Sequence, residues 1–382
     1  MKIIKEKVYK IPLFHPCVSK KAIKEVSKIL RTKFIGQGPR VFELEQKFAK
    51  KFKAKYAVAV NSGTAALHLA YILAGIKDGD EVVGPLFTCS ATWHPVLQLR
   101  AKPVFCDIKD DFTVDPDNLE KKITKKTKAI VVMHYGGCMC NMDKILKIAR
   151  KYKLPVIEDT AQALGAKYKG KYAGTIGDYG CFSFQAIKYM TTIDGGMLTL
   201  KDKEQYERAK KLRWFGIDRD LRIKKGWQQF KDWERRKMTY DVQEVGYKYH
   251  MNDFNAVMGI VHMQELNKFL KHYQKLNGLY RKFLKNINGV KLLPQKEKDT
   301  HWLMTVLFDN RDRIAQKLKE AGVETNSVHI RNDAYTLFKP YARHQKFPNM
   351  DRAELRYLCL PMHSKITTQD VKYICKIIKN NA

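Results

Sequence analysis

Apolar and polar positions along the 382-residue chain follow two alternating rhythms. Short apolar runs at residues 54–60, 81–84, 103–107, 129–133 and 155–158 read as buried strands, and 179–184 and 196–200 continue the series. Stretches with helical spacing lie between them. Val41, Leu44, Phe48 and Phe52 follow the Gly36-Gln37-Gly38-Pro39 turn, a helix is predicted from Gly63 onward, and Ile145, Leu146, Ile148 and Ala149 mark another over 143–152. This alternation predicts an α/β layer with a mostly parallel sheet covered on both faces. After Asn252 the rhythm changes to a long helical stretch reaching about Tyr280, then 290–293, 303–308, 311–321 and a C-terminal helix from Thr368. A large α/β domain over 1–251, N-terminal segment included, and a smaller C-terminal α+β domain over 252–382 are expected. Residues 222–240, rich in Lys, Arg and Trp, look like an exposed excursion between the two.

Composition narrows the class. Hydrophobic residues make up 45%, a globular value, and no apolar run approaches the roughly 18 residues needed to cross a bilayer. The N-terminus alternates Lys with Ile and Val and lacks the apolar core of a signal peptide, so a soluble, cytoplasmic protein is expected. Eight cysteines are scattered without a CxxC pair, and Cys138-Met139-Cys140 has no second pair or His cluster to complete a metal site. Reduced, mostly buried thiols and no metal are expected. Lys and Arg number 72 against 39 Asp and Glu, a formal +33 that favours anionic partners: nucleic acid, acidic membranes or phosphorylated small molecules. The charges are spread in short pairs such as Lys50-Lys51 and Lys125-Lys126, with no zinc finger, RRM signature or long basic arm. A solvated lysine-rich surface follows, and charge alone names no partner.

Three segments carry chemistry. Asn61-Ser62-Gly63-Thr64-Ala65-Ala66-Leu67 sits where a strand ends and a helix begins, a junction whose free N–H groups bind phosphate or serve as an ordinary N-cap. Glu158-Asp159-Thr160-Ala161-Gln162 puts Asp159 at the carboxyl end of a central strand, where α/β sheets bind ligands. A carboxylate there needs a partner; a protonated pyridinium nitrogen, a helix N-terminus or a metal would each serve. Lys188 lies among apolar residues between the strand Gly180-Cys181-Phe182-Ser183-Phe184 and the turn Asp194-Gly195-Gly196. Desolvation there suits an amine that condenses with an aldehyde.

In order and spacing these segments resemble fold-type I pyridoxal-phosphate (PLP) enzymes, and their wording is closer still to the DegT/DnrJ/StrS-type sugar-nucleotide aminotransferases. The likeness runs through Phe34-Ile35-Gly36-Gln37-Gly38-Pro39, Gly79-Asp80-Glu81-Val82, Lys102-Pro103-Val104-Phe105, Gly246-Tyr247-Lys248-Tyr249-His250-Met251-Asn252-Asp253 and Leu360-Pro361-Met362-His363, covering nearly the whole chain from about residue 20. The resemblance implies that Lys188 binds PLP covalently and shuttles protons, and that Asp159 holds the pyridine nitrogen. It places Gln162 near the phenolic oxygen and Gly63, Thr64 and Ser183 at the phosphate. Lys248 would reach the neighbouring subunit's cofactor across a homodimer interface, although the family often has Asn in this segment. Cys89 stands where many members carry an aromatic that stacks on the ring; Phe87 or Trp93 could substitute, or be core.

The implied activity is amination of a nucleotide-linked keto sugar with an amino-acid donor, glutamate in most of the family. A sugar dehydratase, which would carry His in place of Lys188, and amination of a non-sugar cyclic ketone are the rivals within the fold. A non-catalytic basic regulator or nucleic-acid binder is the rival outside it, and the joint presence of Lys188, Asp159 and Gln162 speaks against it. Three further features have both a site reading and a structural one: His134 at a strand end, the segment His329-Ile330-Arg331-Asn332-Asp333 with Arg331 as an anion ligand, and Arg213 to Arg219 leading into an excursion that would cover the nucleotide.

Overall fold

The computed structural model describes residues 9–219, 230–232, 237–238, 241–296 and 298–382. Of the basic excursion at 222–240, only the short antiparallel pair Phe230–Asp232 and Lys237–Met238 belongs to the described residues. Seven strands form the main sheet: β1 (Tyr56–Val60), β2 (Glu81–Pro85), β3 (Lys102–Cys106), β4 (Thr127–Met133), β5 (Val156–Asp159), β6 (Tyr179–Ser183) and β7 (Gly196–Leu200). Their order is β1-β7-β6-β5-β4-β2-β3. Every pairing from β6 to β3 is parallel, and β7 alone runs against its neighbours. The sheet is thus the mostly parallel one that the apolar runs predict.

Both faces are buried, and β4 displays the reason in its alternation. Ala129, Val131 and Met133 enter one core, and Ile130 and Val132 enter the other. On the first face lie α2 (Pro39–Phe52) and α3 (Gly63–Leu73), whereas α1 (Lys20–Ile29) packs through Ala22 on Met258 and Val261 of the long helix 253–284. α2 turns Val41, Leu44, Phe48 and Phe52 inward, and Phe48 meets Phe182 of β6 edge-on at 5.0 Å. α3 is apolar nearly all round and correspondingly buried from Ala65 to Tyr71. The other face is covered by α4 (Met142–Tyr152), which buries Met142, Ile145, Ile148 and Ala149.

The long helix, α5 (Asp253–Leu284), packs on α1 and α2 and also on the C-terminal helix, here α6 (Thr368–Lys379). Beyond it a smaller antiparallel sheet forms from β8 (Val290–Leu292), β9 (Met304–Phe308) and β10 (Tyr357–Leu360). β10, four apolar residues long, is not among the runs read as strands; its pairing with β9 defines it. The N-terminal segment reaches this region: Ile11 bonds Gly322 and Glu324 through its backbone, and Leu13 N–H donates to Glu324 Oε2 at 2.9 Å.

One long-range contact orders the segments around the sheet. The N-cap of α2 is Gly38, which has no side chain to satisfy the first helical amides. Asp253 does so from 215 residues away, accepting from Gly38 N (2.8 Å), Val41 N (3.0 Å) and Arg40 N (3.1 Å). A Cβ at Gly38 would lie 2.7 Å from Asp253 Oδ2, so the close approach requires glycine. Replacing Asp253 by Ala should lower unfolding stability by about 2–4 kcal/mol, because three amides lose a charged acceptor. Urea denaturation of the variant checks this, and an unchanged midpoint would contradict the role.

Candidate active site

Lys188 lies on the 184–195 loop between antiparallel β6 and β7. The loop's ends are closed by Phe184 N to Gly195 O and Thr192 N to Phe184 O, both 2.8 Å. From α5, Asn255 Nδ2 donates to Thr192 O (2.6 Å) and His262 Nδ1 to Thr191 O (2.8 Å). The returning half of the loop is therefore held by α5 as well as by its own closure. Lys188 Nζ rests 3.6 Å from the centre of the Trp302 ring. Burial pulls its pKa down to about 8, against the opposing pull of Asp159 and Cys89. An appreciable share of free amine therefore exists near neutral pH.

Asp159 closes β5 at the carboxyl end of the sheet. Its Oδ2 accepts from Thr92 Oγ1 (2.8 Å) and its Oδ1 from Ala161 N (3.1 Å), and Thr92 Oγ1 is 2.8 Å from Thr88 Oγ1. Burial pushes the carboxyl above its ordinary range, while Thr92, Ala161 and Lys188 pull it back. A cation against the remaining lone pairs would keep it ionised. Gln162 is orientated by its neighbours. Gly136 N donates to its Oε1 (2.6 Å), so its amide nitrogen faces His329 Nε2 and donates to it. His329 is neutral in this setting, with burial and then Lys188 driving its pKa down to about 3.

Gly63 opens α3 against the end of β6. A Cβ at Gly63 would sit 2.9 Å from Ser183 Cβ, so glycine lets the helix start beside Ser183. Ser62 caps Ala65 N at 3.0 Å. The Gly63 and Thr64 amides have no hydrogen-bond partner among the described residues. Two free N–H groups at a positive helix end thus lie beside Ser183, and Thr64 carries a second hydroxyl at the same helix start.

Lys188, Asp159, Gln162, Gly63, Thr64 and Ser183 gather around the carboxyl end of the sheet; Lys248 does not join them within one chain. Its Nζ lies 3.8 Å over Trp214, in a groove of about 1060 Å³ lined also by Phe34, Phe42, Arg219 and His250 but by none of that group. Cys89 is exposed, and the two aromatics considered in its place are core: Phe87 packs between Phe112, Tyr135 and Tyr357, and Trp93 is buried against Phe105 with Nε1 on Pro85 O. Neither is available to a ligand. Arg331 is not an anion ligand either, because Asp333, Asp351 and Glu354 already hold its guanidinium at 2.5–3.0 Å. Arg213 is committed to buried Glu45 and Ala59 O. Among the described residues no group of three or more His, Cys, Asp or Glu could hold a metal, and no helix is long and apolar enough to span a membrane.

His134 serves the far face of the sheet instead of the pocket. Cys140 N donates to its Nδ1 (3.2 Å), so Nε2 carries the proton given to Glu158 Oε2 (2.9 Å). Glu158 takes three further amides, Gly174 (3.0 Å), Ile176 (2.8 Å) and Gly177 (2.7 Å). Burial works to raise this carboxyl, but His134 and the amides outweigh it and hold it below its ordinary value. Thr88, Thr92 and Trp302 were not found by sequence reasoning. The hydroxyl-rich run Thr88-Cys89-Ser90-Ala91-Thr92 was the available signal for the first two, and Trp302 had none.

The donor set fits PLP: an amine of lowered basicity, a buried acid with no cation bonded to it among the described residues, a fixed amide, and free N–H groups at a helix N-terminus. Comparison with known proteins agrees. A sugar aminotransferase of Streptococcus pneumoniae, solved in its PLP form, superposes with a TM-score of 0.89 at 27% identity over 97% of this chain and 98% of that one. GDP-perosamine synthase of Escherichia coli O157:H7 is 32% identical over 96% of this chain and 97% of its own length. UDP-4-amino-4-deoxy-L-arabinose–oxoglutarate aminotransferase of Shewanella sediminis is 34% identical over 84% of each chain. Fold and likeness together define a fold-type I, PLP-dependent aminotransferase. The sequence profile of the DegT/DnrJ/EryC1/StrS aminotransferase family matches residues 16–379, and the chain belongs to that family.

The Glu158 network yields a test that is independent of cofactor. In Glu158→Gln any rotamer turns an NH2 toward a backbone amide, so stability should drop by about 3 kcal/mol or more. Thermal and urea unfolding measure it; wild-type stability would show that the carboxylate is not needed.

Proposed function

We propose that the enzyme converts a nucleotide-linked keto-deoxy sugar to the amino sugar, with glutamate as amino donor. The observation that carries this reading is the pairing of Lys188, its pKa lowered to about 8, with buried Asp159 at the carboxyl end of the parallel sheet. The relatives named above, one a GDP-perosamine synthase and one acting on a UDP-linked amino sugar, support the substrate class.

In this reading Asp159 holds the ring nitrogen of PLP, the Gln162 amide donates to the phenolic oxygen, and Gly63, Thr64 and Ser183 hold the phosphate. When bound, PLP supplies an aldehyde for amino-group exchange and a ring that accepts electron density. Lys188 Nζ takes the proton from Cα of the amino-acid donor and returns one at the sugar carbon that receives the amine; a pKa near the working pH suits both directions. Thr92 and Ala161 fix Asp159 before ligand arrives, so no reorganisation is needed. Lys248 would serve a neighbouring subunit's site in a homodimer, which accords with its place outside its own chain's cluster. The basic surface suits an anionic sugar nucleotide. Domains over 1–251 and 252–382 remain our proposed division.

Glutamate with a panel of nucleotide-linked keto sugars, read by product mass, tests the reaction; failure of every panel member to gain an amine would refute it. In Lys188→Ala, borohydride treatment with PLP should add no cofactor mass, and turnover should drop about 10³-fold or more while the protein stays folded. Because the neutral amine is the nucleophile, PLP capture by the apoenzyme should accelerate as pH rises and level off above about 8. Stopped-flow absorbance follows it, and a rate independent of pH through that region would contradict the Lys188 assignment.

A further inference from the structure

Lys188 Nζ lies against an aromatic face, with the Asp159 carboxylate near enough to act on its charge but not bonded to it. Among the described residues it makes no hydrogen bond or ion pair, and its 3.6 Å approach to the Trp302 ring is a close cation–π geometry. Trp302 is 2% exposed and fixed on several sides. Its Nε1–H donates to Ile187 O (3.2 Å), the carbonyl next to Lys188, and its backbone N–H donates to Gly136 O (2.9 Å). Phe14 stacks on the indole at 5.4 Å with the planes 20° apart. The same Gly136 donates its own N–H to Gln162, so the indole, the lysine loop and the Gln162–His329 pair share one backbone framework.

Over one full cycle the lysine would be released from the cofactor in the first half-reaction and return at the end of the second, so it is a free amine in between. A carboxylate at that position would bind the ammonium tightly and keep its proton; open water would let the chain wander. A ring quadrupole holds the cation weakly and accepts no proton, so the amine stays near and stays transferable. We propose that Trp302 is a positioning residue whose indole face is the resting place of the Lys188 side chain whenever the lysine is not bonded to cofactor. This rests on the reading of Lys188 as the cofactor lysine.

The test uses full-length enzyme loaded with pyridoxamine phosphate, in which Lys188 is free. Competitive acetylation with acetic anhydride across pH, quantified on the Lys188 peptide by mass spectrometry, gives the titration midpoint independently of turnover. Fluorinated tryptophans keep the indole's shape and drain its negative face. Their incorporation should lower the midpoint stepwise with fluorine number, by about 0.5 at most, a roughly threefold rise in the amine-to-ammonium ratio. In Trp302→Phe the same fluorinated tryptophans at the other positions should leave the midpoint unmoved. A midpoint indifferent to fluorination in the wild-type background, or an equal response in Trp302→Phe, overturns the inference. Borohydride reduction with PLP separates the two levels: a mark on Lys188 with an unmoved midpoint refutes the Trp302 role alone, whereas a mark elsewhere refutes the lysine assignment and this inference with it.

Discussion

Two adjacent carboxylates at the end of β5 set the terms for everything around them. Strand alternation sends Glu158 to one face of the sheet and Asp159 to the other. Buried acids cost several kcal/mol unless they are paired or hydrogen-bonded. The fold answers the two in opposite ways. Glu158 is saturated by His134 and three amides of the segment 174–177, which locks the far side of the sheet. Among the described residues Asp159 receives hydrogen bonds only from Thr92 and Ala161, with Lys188 near enough to act on its charge. One acid is spent on structure and the other is kept in reserve for a ligand's charge.

Rigidity around the reserve acid comes from distant parts of the chain. α5 caps α2 through Asp253 and pins the lysine loop through Asn255 and His262, so a single helix sets the entry to the sheet and the height of Lys188. The segment entering the small sheet contributes Trp302 beneath the same lysine. The strands therefore supply position, and the helix and loop contacts supply restraint.

Much of the fold was legible as periodicity. The seven main strands and the helices at 39–52, 142–152 and 253–284 each carry a burial pattern that shows in the run of side chains. β10 was not among the apolar runs read as strands, and its identity comes from pairing with β9. At the site, Lys188 and Asp159 stood out by their context beside strands, whereas Gln162 came only from the family resemblance. Phe87 and Trp93 had two readings, ring partner or core, because aromatic residues near a site look alike in sequence whether they face it or the core; here both are core. Arg331 was equally ambiguous until Asp333, Asp351 and Glu354 were found to occupy it.

The sequence by itself determined the layered α/β class and the chemical types available at the strand ends, since both depend on local spacing and residue identity. Tertiary structure alone decided which groups are spent and which are left open. Whether His134 bonds Glu158, whether Arg331 is neutralised, and what lies against Lys188 Nζ are settled by contacts between residues far apart in the chain. Such contacts depend on how the elements pack, and no local pattern encodes the packing of one element upon another.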